Sequence, residues 1–246
     1  DGLIFERGQD NSTPTLINLS NVICDNNRRN GCSVIDINSF TFNGCEFSNT
    51  NGTAPQAGLD IEPGIVTRLV SNGTITNCRF INNAVRGLDV QGLNGYIQNL
   101  IIDTCIAKGN LAAGFSFYQC SLPISLSNSV SDTNNSGALD NAGIYITDSI
   151  GLNITSNISI NNIYSGIAVL GTSSEILISN NQSRNNTRHG IYVASSDHSV
   201  VGNYCSLNGY NGIYGYDLVN SVINDNKCYS NSQTTDNTYD GIQLSN

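Results

Sequence analysis

Methionine is absent from this 246-residue chain, and only 10 lysines and arginines and two histidines stand against 19 acidic residues. Without a methionine, residue 1 is not a translation start, and the chain reads as an excised or processed segment. A formal charge of -9 with so few cations excludes the basic stripe that a nucleic-acid partner would need. No apolar run approaches the roughly 18–20 residues of a membrane helix, and no signal peptide is present, so no membrane partner is expected. The 8 cysteines include no Cys-x-x-Cys pair and do not cluster with the histidines, which argues against zinc. Glycine-rich phosphate loops and Ser/Cys–His nucleophile arrangements are missing as well. What remains is an acidic, Asn/Ser/Thr/Gly-rich surface suited to a hydroxyl-rich ligand. A polyanion would need local arginines or a bridging cation. Asn-x-Ser/Thr sequons, as at Asn153 and Asn157, arise by chance in so Asn-rich a chain.

Two landmarks repeat along the chain. One is a glycine followed by apolar-x-apolar, at Gly58, Gly87, Gly114, Gly143, Gly166, Gly190 and Gly241, with looser copies at Gly31 and Gly212. The other is a pair of Asn-like positions five apart. It runs from Asn21/Asn26 through Gly44/Asn49, Asn77/Asn82, Thr104/Gly109 and Asn128/Thr133 to Asn157/Asn162, Asn181/Asn186, Asn203/Asn208 and Asn226/Asn231. The landmarks alternate, and successive glycines lie 22 to 29 residues apart. Such a period with strand patterning and hardly any helical pattern gives one rung of an all-β solenoid, about nine rungs in a single domain over 1–246. Stacked parallel strands then sit about 4.8 Å apart, and like residues form columns. The Asn-like positions are expected at turns, their amides bonded to the next rung or to local backbone, with a left-handed backbone where the corner is tight.

In that frame Cys45, Cys78 and Cys105 form an inward column of buried thiols. Cys205 and Cys228 share a column one position further on, which predicts that they point outward, free or bridged as a disulfide. The corners Thr50–Gln56, Asn135–Asn141 and Ser232–Tyr239 are long, and Pro63–Ser71 reads as a further insertion beside Asp60. Long loops beside a strand can wall a binding groove.

The outward position two after each glycine reads Ser33, Asp60, Asp89, Ser116, Tyr145, Ala168, Tyr192, Tyr214 and Gln243; two residues further lie Glu62, Gln91, Tyr118, Thr147, Leu170, Ala194 and Tyr216. One face is therefore acidic at one end and tyrosine-rich towards the other. Tyr118, Tyr145, Tyr192 and Tyr214, with Arg86 and Gln91, are expected to bind substrate. Tyrosine offers a flat apolar face with a polar tip, although it also simply suits half-buried strands. Asp60 and Asp89 stack one rung apart with Glu62 about 7 Å along the strand. Crowded carboxylates split their proton affinities, so one can donate a proton while another stays ionised. The same three carboxylates, Asp60, Glu62 and Asp89, would also suit Ca²⁺, and solvated acidic residues are the bland alternative. No other cofactor is expected. His189 and His198 lie rungs away from Asp89 and read as surface residues, while Arg86 and Arg68 are near enough to meet a substrate carboxylate.

The repeated Gly-apolar-x-apolar strands and Asn-x-x-x-x-Asn turns resemble the right-handed parallel β-helix superfamily. Within it, the polysaccharide-active members are similar: phage tailspike depolymerases, pectate-lyase-like enzymes and mannuronan C5-epimerases. The resemblance covers nearly the whole chain and is one of architecture. Its most family-like stretch is Gln56-Ala57-Gly58-Leu59-Asp60-Ile61-Glu62-Pro63. Epimerases carry Tyr-Gly-Phe-Asp-Pro-His there, with a second Asp on the next rung. Asp60 and Asp89 match the two aspartates, whereas Ala57 and Glu62 replace the Tyr and the His. The resemblance implies a polysaccharide substrate, an extracellular or virion-associated location and, from the tailspikes, a homotrimer. Tailspike-type hydrolases use carboxyl groups alone, so the expected activity is glycoside hydrolysis with Asp60, Asp89 and Glu62 as acid/base groups. The alternatives are a polysaccharide lyase or uronate epimerase, with Arg86 leaving a lyase open, and a non-catalytic receptor-binding or structural β-helix.

Overall fold

The computed structural model describes residues 1–6, 16–64, 68–92, 96–121, 123–135, 142–234 and 239–246. The expected solenoid is what forms. Three parallel sheets of 10, 9 and 9 strands run the length of the column, each strand hydrogen-bonded to its counterparts one rung before and after. Among the described residues there is no helix long and apolar enough to cross a membrane.

The first sheet carries the Gly-apolar-x-apolar strands in the register that the repeat predicts. Leu59, Asp60 and Ile61 pair with Leu88, Asp89 and Val90, which pair with Phe115, Ser116 and Phe117. The alternate residues turn inward and are fully buried, as Leu59, Ile61, Leu88, Val90, Phe115 and Phe117 show. Beneath the acidic rungs the core is aromatic, with Phe47 stacked on Phe80 at 5.8 Å and Phe80 edge-on to Phe115 at 6.1 Å. This rigid floor fixes the heights of Asp60 and Asp89.

The glycine landmark has a steric cause. A Cβ on Gly87 would lie 2.5 Å from the Gly114 carbonyl oxygen and 2.9 Å from Asn110 Nδ2; on Gly58 it would lie 2.7 Å from both Asn83 Nδ2 and the Gly87 carbonyl oxygen. The strand start is thus wedged between the next rung and an asparagine side chain. Gly87→Ala is expected to cost about 1–3 kcal/mol, the range for overpacking, read from the midpoint of urea unfolding.

The asparagine landmark divides into two adjacent columns with different causes. One holds left-handed corners: Asn77, Thr104, Asn128, Ser156, Asn180 and Asp225 all have φ between 48° and 57°. The next position turns inward and forms a hydrogen-bonded ladder. There Asn157 N donates to Asn181 Oδ1 (2.8 Å), Asn181 N to Asn203 Oδ1 (2.9 Å), and Asn203 N to Asn226 Oδ1 (2.9 Å). A parallel ladder runs through Asn83, Asn110, Asn134, Asn162, Asn186, Asn208 and Asn231. The early landmark pairs are corners, whereas those from Asn157/Asn162 onward are ladder rungs one residue later.

That slip corrects the cysteine reading. Cys45, Cys78 and Cys105 do form a buried column, at the position that later rungs give to Ser129 and Asn157. Cys205 and Cys228, however, fall in the column of Phe47 and Phe80 and point inward. Cys205 is fully buried and Cys228 packs against the core, the two lying in register as free thiols.

His198 is also inward rather than at the surface: it is buried, and its Nδ1 accepts the Ile176 amide at 3.3 Å. Of the long segments, 69–71 already belong to the strand Leu69–Thr76, so the insertion after Asp60 is shorter than Pro63–Ser71. Residues 65–67, 136–141 and 235–238 of those segments lie outside the described residues.

Candidate functional site

Four consecutive outward positions on the first sheet, Ser33, Asp60, Asp89 and Ser116, are nearly inaccessible; Asp60 is 3% and Asp89 1% exposed. The acidic patch is therefore not a solvated face. It is the floor of a trench, walled by Asn30 and Arg86, each just before a strand glycine, and by Gln91 at the far end of its strand. Asn30, before Gly31, donates from Nδ2 to Asp60 Oδ2 at 2.9 Å. Arg86, before Gly87, donates from Nη1 to Asp89 Oδ2 at 2.9 Å, and Gln91 Nε2 donates to the same oxygen at 2.8 Å. Asn30 is a site residue absent from the expectations above; its signal in the sequence is its place in the column immediately before the glycines.

The other oxygen of each aspartate, Oδ1, is buried and has no hydrogen-bond partner among the described residues. A buried acceptor left unpaired is costly unless it is protonated or a ligand donates to it. Burial, followed by the neighbouring Asp89 and Glu62, pushes the Asp60 carboxyl up to about 7, against the opposing pull of Asn30 and Arg29. Burial also raises Asp89, outweighing Arg86, Ser116 and Gln91. Between the two, Asp60 is a carboxyl that exchanges its proton near neutrality.

Two cavities open into the trench. One, of about 200 Å³, is lined by Arg29, Ser33, Ile35, Asp60, Glu62 and Arg68. The other, of about 270 Å³, is lined by Arg86, Gln91, Ser116, Tyr118, Tyr145 and Thr147. Asp89 lines neither; it lies between them beneath Arg86 and Gln91. Glu62 and Asp60 share a wall, whereas Asp89 is placed to act on Asp60 rather than on a bound molecule. A third depression of about 260 Å³ on the second sheet, between Asn99 and Asn153, is lined by no titratable group.

The tyrosines form two groups. Tyr118 and Tyr145 border the second cavity, while Tyr192 and Tyr214 lie further along beyond Ala168, rings 5.2 Å apart. His189 belongs to the second group and is not a free surface histidine. Its ring stacks on Tyr214 at 4.8 Å, and burial, with Arg188 nearby, pushes it down to about 4. Among the described residues no group of three or more His, Cys, Asp or Glu side chains is arranged to hold a metal ion. Arg86 already supplies the positive charge beside Asp89.

The family described as "Right handed beta helix region" matches residues 2–183 and 142–246. No curated protein matches the sequence. Among solved structures, PfbA, a surface adhesin of Streptococcus pneumoniae, superposes with a TM-score of 0.69 at 15% identity over 87% of this chain and 60% of the adhesin. The A-module of the mannuronan C-5 epimerase AlgE6 from Azotobacter vinelandii does so with a TM-score of 0.58 at 16% identity, over 93% of this chain and 61% of that one. The chain thus spans less than two thirds of either protein, and at these identities the likeness is one of fold.

Proposed function

Since the chain belongs to the right-handed β-helix family, we propose that its trench binds an acidic polysaccharide and cleaves it by carboxyl acid/base hydrolysis. The observation that carries this reading is Asp60: a buried carboxyl, held near neutral affinity for its proton, with a partnerless oxygen beside a cavity large enough for a sugar. In this role Asp60 donates its proton to the leaving glycosidic oxygen, and Glu62, on the same wall, activates water. Both carboxyl groups line one cavity of about 200 Å³, which leaves room for that water. Asp89, clamped by Arg86, is a positioning residue that keeps the proton on Asp60.

The substrate class rests on charge. Although the chain has only 10 lysines and arginines, Arg29, Arg68 and Arg86 all line these two cavities. They would meet the carboxylates of a uronate chain. A similar fold in a protein named for mannuronan epimerisation makes polyuronates the first polymers to try. The same arginines favour one second reading, a lyase or epimerase in which ionised Asp60 withdraws a proton next to a neutralised uronate carboxylate. A polymeric substrate of this kind implies a location outside the cytoplasm.

The test is a degradation screen over mannuronan, other polyuronates and bacterial surface polysaccharides, run with calcium and with chelator. New reducing ends without ultraviolet absorbance are expected. Absorbance from an unsaturated uronate would mean a lyase, and an altered uronate ratio without cleavage an epimerase. Binding with no product from any polymer would leave a non-catalytic binding module.

A further inference from the structure

We propose that the aromatic cluster around His189, Tyr192, Tyr210 and Tyr214 is a distal subsite for the same polyuronate, so that the protein selects long chains over short ones. The inference rests on the reading of the trench as a glycan site. His189 is the centre of the cluster: Tyr192, Tyr210 and Tyr214 surround it at 5.6, 5.3 and 4.8 Å between ring centroids, and Tyr239 stacks on Tyr210 at 4.3 Å. These rings are half-buried, so part of each remains open to a ligand. His189 Nδ1 is buried and has no hydrogen-bond partner among the described residues. Polar groups edge the rings, with Ser245 Oγ donating to the Tyr214 hydroxyl at 2.9 Å and Asn211 Nδ2 to Gln243 Oε1 at 2.8 Å. Flat rings edged by a few hydrogen-bonding groups suit the C–H face and the hydroxyls of a sugar.

Position turns this cluster into a subsite. Asp60, Asp89, Ser116, Tyr145, Ala168, Tyr192 and Tyr214 occupy one column in unbroken register. Tyr192 is five rungs from Asp60, about 24 Å at the strand spacing. One rung is close to the length of one sugar residue in an extended glycan, so a chain cleaved at Asp60 reaches Tyr192 with about its fifth residue. The cavity lined by Arg86 and Tyr145 lies on the way, and Ala168, the next residue of the column, is fully buried. Short oligomers can occupy the acidic end alone; only longer ones reach both.

The test measures binding of mannuronan oligomers, dimers through octamers, by calorimetry on the Asp60→Asn protein, which turns them over far more slowly than wild type. Affinity is expected to rise about tenfold once oligomers are long enough to reach Tyr192, the worth of one good stacking contact. Tyr192→Leu/Tyr214→Leu on that background, which keeps apolar bulk but removes the flat rings, should abolish the rise, whereas Tyr192→Phe should keep it. Thermal melts confirm that the variants are folded. A length dependence unchanged by the leucine pair overturns the subsite, as does failure of every oligomer to bind the parent. If the rise is found and lost as expected while wild type releases no product, the subsite stands and the cleavage reading falls. Product release with an unchanged length dependence removes the subsite and leaves cleavage standing.

Discussion

Asp60→Asn is expected to cut turnover by roughly 10²–10⁴-fold, the contribution of a positioned proton donor, and at the same time to stabilise the protein in mild alkali. The two effects have one origin. In the unfolded chain Asp60 has its ordinary affinity, near 3.8, whereas in the fold it is raised to about 7. Between those values the native state holds a proton that the unfolded state has released. Stability therefore falls as pH rises from about 4 to about 7 and is level above that, where Asp60 is charged in both states. Each unit of displacement is worth about 1.4 kcal/mol, so the loss amounts to a few kcal/mol. Asparagine keeps the shape and can still accept from Asn30, but it has no charge to bury. The variant should thus match wild type in acid and melt higher above about pH 7, with Asp89 retaining a residual slope of the same sign. Hydrolytic rate in wild type should fall as pH rises through about 7, since the reaction needs the protonated form. Parallel pH–stability curves for the two proteins would show that Asp60 is not perturbed, and the acid role would go with it.

Asn181→Ala should cost roughly 4 kcal/mol or more, because several buried groups lose partners worth about 1–3 kcal/mol each. Asn181 Oδ1 accepts from both Asn157 N and Asn157 Nδ2 at 2.8 and 3.1 Å; its Nδ2 donates to Ile154 O at 2.8 Å and to Asn203 Oδ1 at 3.0 Å. Its neighbour Asn180 provides the contrast. Asn180 occupies the corner column with φ of 56°, a conformation that glycine adopts without strain. Asn180→Gly is expected to change stability by under about 1 kcal/mol. In a solenoid each rung contacts only its neighbours, so a broken ladder should also split unfolding into two steps. Urea titrations of the pair check both points. Equal costs at 180 and 181 would refute the division of the asparagine landmark into two columns.

The solenoid, its register and the membership of each outward column follow from the periodicity of the chain alone. A strand alternates its faces, and a glycine wedged under the next rung at Gly58 and Gly87 can be nothing larger. Asp60 over Asp89, and Tyr192 over Tyr214, are therefore legible in the sequence itself. The cysteine pair is not, because asparagine serves two adjacent columns, one for its backbone and one for its amide, and composition does not tell them apart. Counting from the wrong column puts Cys205 and Cys228 one step out and so on the wrong face. The burial of His198 is hidden for a related reason: two histidines in loop-like sequence show no period.

That the acidic face is a trench comes from the fold, which brings distant residues up around it. Which oxygen of Asp60 lacks a partner depends on Asn30, thirty residues away in sequence, and which carboxylate shares a cavity with it depends on where Arg68 and Arg86 come to rest. Burial is a property of the walls, and it is burial, more than the repulsion visible in the sequence, that moves the Asp60 proton.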